Sequence, residues 1–183
     1  MKIGIIAAND IRFSPYIFFY TRILDCLKYN YEIIYPHRSG IEDTTTQLQT
    51  HVITWHDHYG AAAAYTRYAI DVARVINREK YDALIVLTTA NAVFLMPYLK
   101  RHYRKRYIVD IRDYTHENVK PYYYLEEKAL RNAMLNVVSS RRFSRFLPTD
   151  NTYCVCHNIS SYNSKEIDTG LVNRNKEPIC ISY

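Results

Sequence analysis

Short, mostly apolar runs alternate along this chain with stretches whose apolar positions recur every three or four residues. Lys2–Ala8 is the first apolar run and predicts a strand leading into the polar turn Asn9–Ser14. Pro15 stands where a helix can begin, and Ile17, Tyr20, Leu24 and Leu27 then mark one helical face. Tyr31–Tyr35 is the next strand, closed by Pro36, and His37–Thr50 lacks periodicity and reads as a long surface loop. Val52–Trp55 predicts a third strand. The clearest helix is Ala61–Arg78, with Tyr65, Tyr68, Ala69, Val72, Val75 and Ile76 on one stripe and Asp71, Arg74 and Arg78 off it.

The alternation continues to the last quarter of the sequence. Ala83–Leu87 is a strand ending in Thr88-Thr89, followed from about Asn91 by a helical segment that Pro97 should kink or restart. Tyr107–Val109 is a strand that turns abruptly polar. Pro121 opens a helix through Ala133, supported by Glu127 and Arg131 one turn apart. Leu135–Val138 is a strand ending in Ser139-Ser140, Arg141–Phe146 is a short helix stopped by Pro148, and Tyr153–Cys156 is a strand ending in His157-Asn158. This order predicts an α/β fold: a doubly wound, mostly parallel Rossmann-like sheet of about seven strands with helices on both faces. Residues 1–159 make that domain. Residues 160–177 have a linker's composition, and 178–183 turn apolar again as the first strand of a second domain cut short.

Composition narrows the class. At 183 residues and 48% hydrophobic, the chain has enough apolar material for one real core. No run approaches the roughly 20 apolar residues of a membrane span. The apolar part of Met1–Ala8 is too short for a signal peptide, which places the protein in the cytoplasm. The four cysteines do not make a disulfide framework, and Cys154 and Cys156 are expected on one strand face as small buried hydrophobes. Neither these two with His157 nor the group His51, His56, Asp57 and His58 has the spacing of a zinc site, so no metal is expected. The formal charge of +6 suits an anionic surface, a phosphorylated substrate or plain solubility. Much of it gathers at Lys100, Arg101, Arg104, Lys105 and Arg106, among Tyr98, Tyr103 and Tyr107. That patch is either a membrane-facing seat, at about 1 kcal/mol per basic residue, or a solvated helix end. No nucleic-acid motif accompanies it, and nucleic acid is not an expected partner.

Open parallel sheets bind ligands outside the carboxyl ends of their strands. The polar residues expected there are Asn9 and Asp10, Thr88 and Thr89, Asp110 to Glu117, Ser139 and Ser140, and His157 and Asn158. The densest group is Asp110, Arg112, Asp113, His116 and Glu117, which is costly to hold at a buried strand's end without partners. It is either a structural ion-pair knot or the floor of a cleft. The four glycines (Gly4, Gly40, Gly60, Gly170) leave the first strand-to-helix turn without any, which excludes a dinucleotide fingerprint and a P-loop.

The strand running into Asp110-Ile-Arg-Asp113, Val138-Ser-Ser140 opening a short helix and Tyr153–Asn158 closing the domain give the chain its likeness to a known family. In that order they resemble the N-terminal half of a GT-B-type glycosyltransferase of bacterial capsule and surface polysaccharide synthesis. Residues 178–183 resemble the first strand of its second domain. The resemblance implies an acceptor-binding first domain and a second domain that binds the nucleotide-sugar donor and carries its paired acidic motif. It therefore implies no cofactor in this chain and no turnover by the chain alone. The glycine-free first turn departs from many relatives, so Asn9–Ser14 are not expected to approach a donor phosphate closely.

In such a transfer the acceptor hydroxyl loses a proton, and a positioned carboxylate or imidazole contributes about 10²–10⁴-fold. Asp113 and His116 are the expected catalytic residues, Arg112 holds Asp113 ionised or meets a phosphate, and Asp110 anchors the turn. Asn9, Asp10, Thr88, Thr89, Arg112, Glu117, Ser139, Ser140, His157 and Asn158 are the expected acceptor contacts. Lys100, Arg101, Arg104 and Lys105 are the expected membrane-facing residues, at the inner face of the membrane. The partner implied is a glycan or lipid-linked sugar. The alternative is a non-catalytic Rossmann-like subunit that recruits an acceptor or membrane to a partner catalytic chain. A reading frame continuing past Tyr183 into a glycine-rich turn and paired glutamates separates the two.

Overall fold

A computed structural model of the chain describes residues 1–38, 48–56, 60–114, 116 and 118–157. The described strands are β1 (Lys2–Ile6), β2 (Asn30–His37), β3 (Thr50–Thr54), β4 (Ala83–Leu87), β5 (Tyr107–Ile111), β6 (Leu135–Val138) and β7 (Tyr153–Val155). The helices are α1 (Ile17–Cys26), α2 (Ala61–Glu79), α3 (Thr89–His102) and α4 (Lys120–Asn132). One sheet of order β3-β2-β1-β4-β5-β6-β7 holds all seven strands, and every neighbouring pair is parallel. All carboxyl ends therefore lie along one edge, and the strand order reverses between β1 and β4. The α/β Rossmann-like architecture is the one the alternation predicts. The proposed linker at 160–177 and the strand at 178–183 lie outside the described residues.

The helices are shared unequally between the two faces. Val72 and Ile76 of α2, Leu95 and Leu99 of α3 and Leu130 of α4 pack on Ile6, Ile34, Val86, Val109 and Val138. On the other face, Ile17 and Leu24 of α1 pack on Ile3, Ile5, Ile33 and Ile85. Among the described residues α1 is the only helix there. Over β4 to β7 it leaves an open apolar groove of about 470 Å³, lined in part by Ile23, Leu27, Ile108, Met134 and Cys154. Cys154 and Cys156 are accordingly exposed rather than buried, which corrects the sequence expectation: among the described residues no helix covers the face they share.

Two prolines behave differently from their local signals. Pro36 does not close β2 but pairs opposite Ile53 of β3, beyond the last β1 partner at Ile34. At that point β2 has a neighbour on one side only, where a missing N–H is tolerated. Pro97 lies inside α3 without ending it. Met96 and Leu99, both buried against the core, hold the helix on either side of the break. Gly4 is required by packing, since a Cβ there would come within 2.9 Å of Leu84 and of the Tyr81 ring.

The amino edge of the sheet carries an ion-pair network. Lys2 Nζ lies 2.9 Å from Glu32 and 3.0 Å from Glu79, while Glu32 accepts hydrogen bonds from the Tyr81 hydroxyl at 2.7 Å and meets His51 at 2.8 Å. The ligand atoms of Glu32, His51 and Glu79 lie within 4.8 Å of one another, and Lys2 supplies the positive charge between the carboxylates. Burial would raise the Glu32 carboxyl, but the hydrogen bonds from His51, Tyr81 and Lys2 outweigh it and hold the group at about 2 instead of 4.5. A depressed folded-state value stabilises the fold above the ordinary value, and that stabilisation is lost as pH falls from 4.5 towards 2. Glu32→Gln should remove about 1–2 kcal/mol of this acid-sensitive stability, after allowance for screening at the sheet's edge. Urea unfolding followed from pH 6 to pH 2 reads it; an acid limb identical in the variant excludes Glu32 as its source.

Lys100, Arg101, Arg104 and Lys105 lie at this same amino edge, where α3 ends and β5 begins. A five-residue strand, about 17 Å, separates them from the carboxyl edge. Lys105 Nζ donates to the carbonyls of Arg131 and Ala133, each at 2.8 Å, closing the end of α4. No helix among the described residues is long and apolar enough to cross a membrane.

Candidate functional site

The reversal of strand order sends the chain after β1 to one face, through the 3₁₀ turn Ile11–Phe13 into α1, and the chain after β4 to the other, into α3. In open parallel sheets the loops part at such a reversal, and ligands bind at the carboxyl edge beside it. Asn9 and Thr88 are half-buried on its two sides. Thr88 has φ 75° and ψ 148°, a conformation costly for a β-branched residue by about 1–3 kcal/mol. Its amide donates to the Asp110 carbonyl at 2.8 Å, fastening the β4 turn to β5.

Asp110 forms the floor. It is fully buried at the end of β5, and Arg112 Nε lies 2.7 Å from Oδ1 as a close ion pair rather than a well-aligned hydrogen bond. Burial pushes the Asp110 carboxyl above its ordinary value, with the Arg112 guanidinium and the Tyr20 hydroxyl pulling the other way. Burial disfavours the Arg112 cation, but Asp110 more than offsets this and keeps it charged. Arg112 Nη1 also donates to the Cys156 carbonyl at 3.1 Å, so one guanidinium ties β5 to the end of β7. Tyr16 and Tyr20 close the site from α1. Burial, with the charge of Asp110, drives the Tyr20 hydroxyl far above its usual value. Burial likewise raises Tyr16, and the charges of Asp113 and Asp110 add to it.

Around that floor the expected site residues fall into three groups. Asp113, His116 and His157 are exposed at the edge, and Asn9, Thr88, Ser139 and Ser140 are half-buried there. His116 meets the Tyr122 ring edge-on, with centroids 5.5 Å apart. His157 Nδ1 lies 3.1 Å from the Ser139 carbonyl, and Ser140 Oγ accepts the Arg142 amide at 3.3 Å, capping the 3₁₀ helix Arg141–Arg145. A second group is turned inward. Thr89 is buried with its hydroxyl 2.8 Å from that of Tyr122. Asp10 is buried, accepts the Arg38 amide at 3.3 Å and faces His37 Nδ1 at 3.3 Å. Arg112 belongs with them, paired to Asp110. Glu117 and Asn158 lie outside the described residues, as do Asp57 and His58. His51 and His56 sit at opposite ends of β3 and do not meet as a cluster.

Sequence reasoning missed the ends of β2 and β3. Arg38 lies with its guanidinium 3.6 Å over the Trp55 ring, which meets Tyr65 edge-on at 5.2 Å; Tyr65 in turn stacks on Phe94 at 5.2 Å. The signal was present: Arg38 and Trp55 follow strands, as Asn9 and Thr88 do. Ending β2 at Pro36 hid it.

The solved structures it resembles include sugar-handling enzymes. Sucrose-phosphate synthase from Thermosynechococcus elongatus superposes with a TM-score of 0.63 at 9% identity, over 86% of this chain and 48% of that one. UDP-N-acetylglucosamine 2-epimerase from Rickettsia bellii gives 0.54 at 14% identity, over 84% and 44%. An alpha-glucosyltransferase in complex with UDP and DNA gives 0.50 at 10% identity, over 84% and 40%. The likeness establishes a GT-B-like Rossmann fold. The chain spans less than half the length of each of these three. No protein-family model matches the sequence, and no curated protein matches it.

Proposed function

We propose that this chain is the acceptor-binding half of a glycosyltransferase that moves a sugar from a nucleotide-sugar donor to a glycan or lipid-linked acceptor in surface polysaccharide synthesis. The observation that carries the reading is the state of the acids on the carboxyl edge. Asp10 and Asp110 are buried and paired, and Asp113 is the one described carboxylate left exposed there. A general base has to reach its proton, and Asp113 and His116 have that access. The acceptor hydroxyl would give its proton to one of them as its oxygen bonds to the sugar and the bond to the leaving phosphate breaks. Arg112 serves the reaction indirectly, since its pairing with Asp110 fixes the segment that carries both. Asn9 and Ser139 offer amide and hydroxyl partners suited to sugar hydroxyls. The nucleotide sugar is assigned to a second domain, so the chain alone should bind acceptor without turning it over.

Calorimetric titration of this chain with oligosaccharides and with UDP-sugars tests the division of labour. Saturable heat with an oligosaccharide and none with UDP-sugars is expected. Binding confined to UDP-sugars, or no binding at all, contradicts the reading.

A further inference from the structure

We infer that the acceptor handled at this edge is anionic, and that Arg38, held over the Trp55 ring, pairs with its carboxylate or phosphate. The inference rests on the acceptor-domain reading and narrows it to a substrate class. Its first support is the charge along the carboxyl edge. Arg12, Arg38, Arg141, Arg142 and Arg145 are exposed there, against Asp113 as the one exposed described acid. The two other acids there are buried, Asp10 facing His37 and Asp110 facing Arg112.

The second support is how Arg38 is held. Its amide is anchored to Asp10 Oδ2 at 3.3 Å, and its guanidinium lies 3.6 Å over Trp55 and 5.5 Å from the Tyr65 centroid. Trp55 is itself braced, meeting Tyr65 at 5.2 Å and Tyr68 at 5.9 Å. Tyr68 donates its hydroxyl to the Ala7 carbonyl at 2.8 Å, which ties the aromatic group to the end of β1 and so to the reversal. A guanidinium placed over an aromatic ring engages the ring with its charge and keeps its planar set of N–H donors for a second partner. Among the described residues Arg38 makes no ion pair. A planar fork of donors, fixed before binding, suits bidentate capture of a carboxylate or phosphate. If Arg38 served only to cover Trp55 with its stem, anions and neutral sugars would be treated alike.

Trp55 is the single tryptophan of the chain, so its fluorescence reports directly on this stack. The chain is titrated with a uronic-acid oligosaccharide, a neutral glucan of the same length and inorganic phosphate. The uronate should change the emission saturably and bind at least about tenfold tighter than the glucan, as a charge-assisted bidentate contact requires. Arg38→Ala should abolish that preference. Arg38→Lys, which keeps the charge but loses the fork, should restore only part of it, with thermal unfolding confirming that both variants are folded. Equal affinity for uronate and glucan, or a preference that survives Arg38→Ala, overturns the anion clamp and leaves the acceptor reading standing. A response to phosphate with none to either oligosaccharide keeps an anion site but removes the acceptor reading. Silence in all three titrations removes both.

Discussion

Arg112→Met is expected to lower the stability of this domain by about 3–5 kcal/mol, the usual cost of stranding one member of a buried ion pair. The stranded group is Asp110, fully buried at the end of β5. The loss should be largest at neutral pH. With its cation gone, the Asp110 folded-state value rises further above the ordinary one, so stability recovers as pH falls and the carboxyl is protonated. The double variant Asp110→Leu/Arg112→Met should regain most of the loss, because two apolar side chains need no partner. Urea unfolding of the three proteins measures this. A single variant within about 1 kcal/mol of the parent would mean that the pair does not hold the edge together.

Asp113→Asn and His116→Ala are expected to act on turnover and not on folding, since both side chains are exposed. In the two-domain glycosyltransferase proposed above, supplied with donor and acceptor, replacing the true base should lower kcat by about 10²–10⁴-fold with little change in KM. Replacing the other residue should have a far smaller effect. Midpoints of thermal unfolding should match the parent in both. Undiminished turnover in both variants would remove the proton-transfer role from this segment.

Much of the fold was legible because a buried parallel strand needs a largely apolar run, and the chain supplies seven short runs of this kind with polar ends. Position along the edge was therefore readable; orientation was not. Thr89 and Asp10 follow strands just as Thr88 and Asn9 do, yet they point inward to Tyr122 and His37. Which member of each pair meets a neighbouring ring depends on the helix that follows, and no local pattern encodes it. Arg112 was open to two readings, and its partner is Asp110, two residues back, rather than Asp113. Strand pleating explains this, since alternate residues share a face. The Arg38–Trp55 stack joins two strand ends whose sequence neighbours show no shared motif; only the parallel register of β2 and β3 brings them together. Cys154 and Cys156 do alternate as expected, but burial also requires a covering layer, which a strand's own sequence does not specify.

The central claim is that an acceptor seats on the carboxyl edge around the β1–β4 reversal. Amide chemical-shift mapping of the labelled chain, titrated with an acidic oligosaccharide, tests it most directly. The account predicts shifts concentrated at Asn9, Thr88, Asp113, Ser139 and His157, with the amino edge silent. Shifts gathered instead at Lys2, Glu32 and Glu79, or in the apolar groove at Ile23 and Met134, would contradict it.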